Sequence, residues 1–153
     1  MNDGIVGYYD SHYRIKKPAV TVTGRGDVGY AQARPYSFTP VVRLLSIKSS
    51  HDIFFLANAI NHKKIIQEST GVPQLTTVQF AKNSVYFPDT PEEEIEISLY
   101  LQHLDLLIKS TSKKIESLKQ VKAASLQSMF PQEGETKPRI RFKGFEGEWQ
   151  TFP

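Results

Sequence analysis

Residues 21–30, TVTGRGDVGY, hold two short patterns with chemical meaning. Gly24, Gly26 and Gly29 spell G-x-G-x-x-G, whose mechanism needs a helix N-terminus directly after the glycines so that amides and dipole meet a pyrophosphate. The glycines do follow a predicted strand, but YAQARPYSF cannot open that helix, because Pro35 breaks it. No acidic residue closes a second strand about 20 residues on. Arg25-Gly26-Asp27 spells an adhesion tripeptide, but three residues recur often by chance and no secretion signal accompanies them. His12, His51, His62 and His103 are scattered and form no metal-ligand spacing. Glu92, Glu93, Glu94 and Glu96 cluster at a predicted helix start, where the dipole favours carboxylates and explains them. The absence of cysteine excludes a disulfide framework, a thiolate zinc site and a Cys nucleophile. No nucleophile elbow is present. The sequence therefore offers no candidate active site, catalytic residue or metal site.

Binding chemistry is what remains. Between Arg14 and Lys48 stand seven basic residues (Arg14, Lys16, Lys17, Arg25, Arg34, Arg43, Lys48) and one acid, Asp27. From Pro91 onward nine basic residues face ten acidic ones, so the net charge of +3 originates in the N-terminal third. A local positive excess suits a polyanion, and a solvated basic face is the alternative. The cations are mixed with Tyr30 and Tyr36. Lys and Arg take phosphates, while Arg, Asn and Gln read base edges. Lys16, Lys17, Arg25 and Arg34 are the candidate DNA-contacting cations. Thr23, Asp27 and Tyr30 would shape or orient the loop, and its glycines would let the backbone come close.

These residues must be positioned by a small fold. The 153 residues, 39% hydrophobic and 23% charged, suffice for one core of ordinary size. No apolar run reaches the ~18 residues of a membrane span. MNDGIVGYYD lacks the features of a signal peptide, and a cytoplasmic protein is expected. PAVTVTG is β-branched and alternating, a strand; GYAQARPYSF continues extended, and VVRLLSI is a further strand. HDIFFLANAINHKKIIQEST reads as a helix with Asp52 as N-cap, Gly71 as terminator, and Ile53, Leu56, Ile60, Ile65 and Ile66 on one face. QLTTVQFAKNSVYFP reads as a short helical turn and then a strand, Ser84 to Phe87.

The clearest signal follows. Thr90-Pro91-Glu92-Glu93 is a capping box with Pro at the first helical position. Nothing interrupts the helix until Pro131, which gives about 60 Å at 1.5 Å per residue. A 4-3 repeat runs along it through Leu101, Leu104, Ile108, Ile115 and Leu118, an a/d seam with polar interruptions. Such a seam needs a partner helix from another copy or another chain. The alternative is two shorter helices folded back at residues 109–114, although that stretch lacks Gly and Pro. The fold class is α+β: a β-rich platform with a helix over 1–89, a long amphipathic helix over 90–130, and an irregular tail over 131–153. The tail ends on aromatics, Phe142, Phe145, Trp149 and Phe152, that suggest the opening of a further domain.

GIVGYYDSHYRIKKPAVTVTGRGDVGYAQARPYSFTP resembles the second half of a target recognition domain from type I restriction-modification specificity subunits. PQLTTVQFAKNSVYFPDTPEEEIEISLYLQHLDLLIKSTSKKIESLKQVKAASLQSMFP resembles that family's closing segment and long spacer helix, and PRIRFKGFEGEW is similar to its entry into the next recognition domain. The resemblance implies a non-catalytic subunit whose two recognition domains each read half of a split DNA target, separated by antiparallel helices. It implies docking of methyltransferase and restriction subunits, which would carry the S-adenosylmethionine, ATP and magnesium; this chain would hold no cofactor. Measured against that pattern, the chain is expected to be a fragment, two copies of which would pair their helices and mimic a full subunit. The competing expectation is a coiled-coil dimerisation module whose platform only caps the helix or docks another protein.

Overall fold

A computed structural model describes residues 7–8, 12–41, 44–63, 65 and 73–152 of the chain. The class is α+β; among the described residues are three strands, β1 (Ala19–Thr23), β2 (Ala31–Arg34) and β3 (Leu44–Ile47), and three helices, α1 (Ile53–Lys63), α2 (Thr77–Ala81) and α3 (Pro91–Met129). The chain divides into two compact units, Met1–Gln102 and His103–Pro153.

In the first unit the strands form an antiparallel sheet ordered β2-β1-β3. β1 is central because its run of Val and Thr tolerates burial on both faces, and all five residues are buried. Val20 and Val22 join Ala31 on one face and pack with Ile53, Leu56, Ala57 and Ile60 of α1. The alternation of strand side chains sends Thr21, Gln32 and Arg34 to the opposite face. Asp52 caps α1 as expected, accepting from the Phe54 and Phe55 amides at 3.0 and 2.8 Å. Ile65 packs half-buried against this core, while Ile66 and Gly71 lie outside the described residues. The edge strand β2 is covered by Asn61 of α1, whose side-chain amide accepts from Ala31 N–H at 2.7 Å and donates to Ala31 C=O at 2.9 Å. Asn61 thus occupies the outward backbone groups of Ala31, part of the edge through which β2 would pair with another strand.

α2 is the expected helical turn, closed by a Thr76–Gln79 capping box. The strand expected at Ser84–Phe87 does not form. Val85 and Phe87 pack against the core and Tyr86 is exposed, so the side chains alternate as in a strand, but the backbone has no sheet neighbour among the described residues.

α3 is one uninterrupted helix of 39 residues, which removes the folded-back alternative at 109–114. At its start the Glu93 amide donates to Thr90 Oγ1 at 3.4 Å. Glu94 does more than complement the helix dipole, being only 3% exposed. Its Oε1 lies 2.6 Å from His51 Nδ1 and its Oε2 accepts from the Asp52 amide at 3.0 Å. Ser98, one turn on and also buried, donates its hydroxyl to Asp52 Oδ1. His51 stacks on Phe87 with centroids 3.9 Å apart. These residues tie the first turns of α3 to the N-terminus of α1.

In the second unit the tail folds back on the end of α3. Ile140 N–H donates to Ser128 C=O at 2.9 Å, Trp149 meets Phe130 edge-on, and the Arg141 guanidinium lies over the Trp149 ring. Leu126, Met129, Phe130, Phe142, Phe145 and Trp149 line an open apolar cleft of about 420 Å³. The tail aromatics therefore have a local partner in α3, although Phe142, Phe145 and Phe152 stay largely exposed.

Candidate nucleic-acid interface

The candidate cations stand on the first unit. Arg14 to Lys17 run beside residues 37–39 as an extension of the β1–β2 pairing. Ile15 and Phe38 exchange both backbone bonds at 2.9 and 3.0 Å, and the Arg14 and Lys17 amides donate to Thr39 Oγ1 and Ser37 Oγ. This pairing fixes the backbone and leaves the Lys16 and Lys17 side chains exposed.

The turn from β1 to β2 is organised by Thr23. Its hydroxyl accepts from the Tyr30 amide at 3.1 Å and donates to Asp27 C=O, while its carbonyl accepts from Gly29 N–H at 2.8 Å. Gly26 and Gly29 have φ of 76° and 86°, values that favour glycine. A Cβ on Gly29 would stand 3.3 Å from Ile65 Cβ. The Leu75 amide donates to Gly24 C=O at 3.0 Å, fixing the turn to residues 73–75. The turn leads into strand β2 and not into a helix, so the pyrophosphate cradle has no dipole to complete it. What it presents is Arg25, exposed, its Nη2 donating to Gln74 Oε1 at 3.4 Å.

Of the loop-shaping candidates, Thr23 is buried at the base of the turn, Asp27 is exposed and contributes its carbonyl, and Tyr30 is half exposed. Arg34 differs from Lys16, Lys17 and Arg25 in being buried. It is 8% exposed, with Nε donating to Thr21 Oγ1 at 3.2 Å and Nη1 to Tyr36 OH at 3.1 Å. Arg43 lies outside the described residues. Sequence reasoning did not single out Thr21, Gln74 or Asn61. Only Asn61 left a trace in the sequence, as a polar residue within one turn of the buried Ile60 on an otherwise apolar helix face.

Among the described residues no group of three or more His, Cys, Asp or Glu stands together as a metal site, and no helix is long and apolar enough to cross a membrane. The expected seam residues all lie on α3. Leu101 is half-buried, and Leu104, Ile108, Ile115 and Leu118 are exposed.

Comparison with known proteins identifies the family. The model of the type I restriction modification DNA specificity domain matches residues 1–120. Over 104 residues the chain is 33% identical to a putative type I specificity subunit of Mycoplasma pneumoniae, a match covering 67% of this chain and 28% of that relative. The chain thus spans well under half the length of that curated relative. No solved structure matches it. With the match extending from the basic segment through the sheet and into α3, the chain belongs to the type I restriction-modification DNA specificity family.

Proposed function

We infer that this chain is a non-catalytic DNA-specificity element of a type I restriction-modification complex, reading half of a bipartite duplex target. The observation that carries the reading is the Thr23-organised turn, which lifts Arg25 from one end of the β1–β2 hairpin, whose other end extends into the paired segment displaying Lys16 and Lys17. Exposed cations on a hydrogen-bonded backbone suit phosphate contact, because a phosphate needs charge within reach more than exact geometry. Asp27 and Tyr30 help set the turn. In this reading the α3 seam Leu101, Leu104, Ile108, Ile115 and Leu118 takes a partner helix, supplied by a second copy or by another chain. Methyltransferase and restriction subunits dock on the assembly and carry the S-adenosylmethionine, ATP and magnesium.

The test is duplex affinity against salt concentration. Each phosphate contact contributes about −0.9 to the slope of log K against log salt, so Arg25→Ala and Lys17→Ala should each flatten it by roughly one. Affinity insensitive to salt would remove phosphate contact as the basis of binding. The coiled-coil reading is favoured by one observation, the exposed seam. It requires that those two alanine variants leave every function intact.

A further inference from the structure

Arg34 combines burial with an unbalanced charge. It ends β2 on the sheet face opposite α1, and its guanidinium is held by two neutral oxygens, Thr21 Oγ1 and Tyr36 OH. Thr21 is itself fixed, its hydroxyl donating to Gln32 C=O at 3.4 Å. No carboxylate pairs with Arg34 among the described residues. A buried cation without a counter-charge is costly, and hydroxyls offset that cost only in part. The guanidinium has five N–H donors, of which these bonds use two. No buried side-chain nitrogen or oxygen among the described residues lacks a partner, and Nη2 makes no hydrogen bond there. Nη2 therefore reaches solvent. The result is a planar fork held on two sides, 8% exposed overall and with Nη2 not fully covered, beside Tyr36, which is 44% exposed.

The chemistry that completes such a fork is a pair of acceptors in one plane. A duplex supplies it in two places, the O6/N7 edge of guanine and the oxygens of a phosphate. We propose that Arg34, clamped by Thr21 and Tyr36, is a specificity-determining residue that reads a guanine edge. The proposal rests on the DNA reading above. The guanine edge is favoured over the phosphate because locking a side chain adds nothing to a contact that is the same at every sequence. Against a base edge, fixed geometry is what discriminates.

The experiment selects bound duplexes from a randomised-sequence pool with the full chain, followed by salt titration on the selected sequence. The parent should enrich a guanine at one position. Arg34→Lys keeps the charge and loses the fork. Preference at that position should fall about 5-fold to 150-fold, the range of a good bidentate base contact, with the salt slope unchanged. Tyr36→Phe keeps Arg34 but removes the acceptor that holds Nη1, so it should relax the same position by a smaller factor and no other. It also decides the matter should Arg34→Lys fail to fold. Retained guanine preference with a uniform loss of affinity would assign Arg34 to a phosphate and overturn the proposal. So would variants indistinguishable from the parent, which would make the residue purely structural. In both cases salt-dependent binding by the parent keeps the DNA reading intact. A parent that binds no duplex overturns both.

Discussion

Replacing Glu94 by alanine tests whether the start of α3 is tied to α1 or merely capped by its acids. Glu94 offers its two oxygens to His51 Nδ1 at 2.6 Å and to the Asp52 amide at 3.0 Å, and is 3% exposed. Hydrogen bonds to a charged group contribute about 1.5–3 kcal/mol each. The His51 side chain is 41% exposed, so water can replace much of its share. The Asp52 amide has no such replacement until α1 moves. The net loss expected is about 2–4 kcal/mol. The assay is native-state amide exchange at Leu56 to Ile60, which reports opening of α1 independently of the second unit. At about 1.4 kcal/mol per tenfold, protection there should fall by about 30-fold to 1,000-fold. Glu93→Ala is the control, one residue earlier and exposed, and should change protection by less than about threefold. His51→Ala should cost less in the Glu94→Ala background than in the parent, since the two share one interaction. Equal effects of Glu93→Ala and Glu94→Ala would refute the tie and return all four carboxylates to simple helix-dipole electrostatics.

Gly29→Ala should lower stability by at least about 1 kcal/mol, because the position has φ +86° and its Cβ would meet Ile65; the first unit's thermal midpoint checks this. Leu104→Lys or Ile115→Lys should abolish self-association in sedimentation while leaving the sheet unit folded, as both residues are exposed in the single chain. The Gln132 amide, and then Arg139, hold the Glu135 carboxyl below the ordinary glutamate range. Its contribution is therefore complete above the unfolded value and is lost as pH falls through the lowered native one. Acidification below the usual carboxylate range should loosen the 132–139 turn, read by fluorescence of Trp149, the single tryptophan, and Glu135→Gln should remove that component of the pH response.

What the sequence disclosed was mostly local. β1 follows from five consecutive small or β-branched residues, the α1 cap from Asp52 ahead of an apolar run, and α3 from Thr90-Pro91-Glu92-Glu93 and an unbroken 4-3 repeat. What it hid depended on pairs far apart in the chain. Glu94 looks like its neighbours until His51, 43 residues earlier, lies against it. Asn61 reads as a helix-surface residue until it covers Ala31, 30 residues away. Arg34 differs from Lys17 in no way that composition or spacing records, yet the sheet buries one and displays the other. Ser84–Phe87 failed for the complementary reason. Its alternation is real, but alternation reports which side chains face a core and does not supply the neighbouring strand that a sheet requires.

The same distinction bears on α3. From His103 to Ala124 every residue is exposed, a stretch of about 33 Å at 1.5 Å per residue. Most helices in proteins draw their stability from a buried face, and an isolated helix of mixed composition is marginal in water. Here the apolar face exists and is uncovered. Leu104, Ile108, Ile115 and Leu118 form its seam, and Leu107 and Val121 extend it on one side, at 62% and 59% exposure. A strict two-position seam suits a single facing helix, whereas a face widened at the flanking position suits a helix set among more than one neighbour. The reading of α3 as a spacer that holds a partner helix therefore carries a concentration dependence. Helicity over this stretch should rise with association and fall on dilution, while the first unit, with its own core, should be indifferent to both. Circular dichroism across a dilution series checks this, and helicity constant from the associated to the monomeric range would show that α3 stands without a partner.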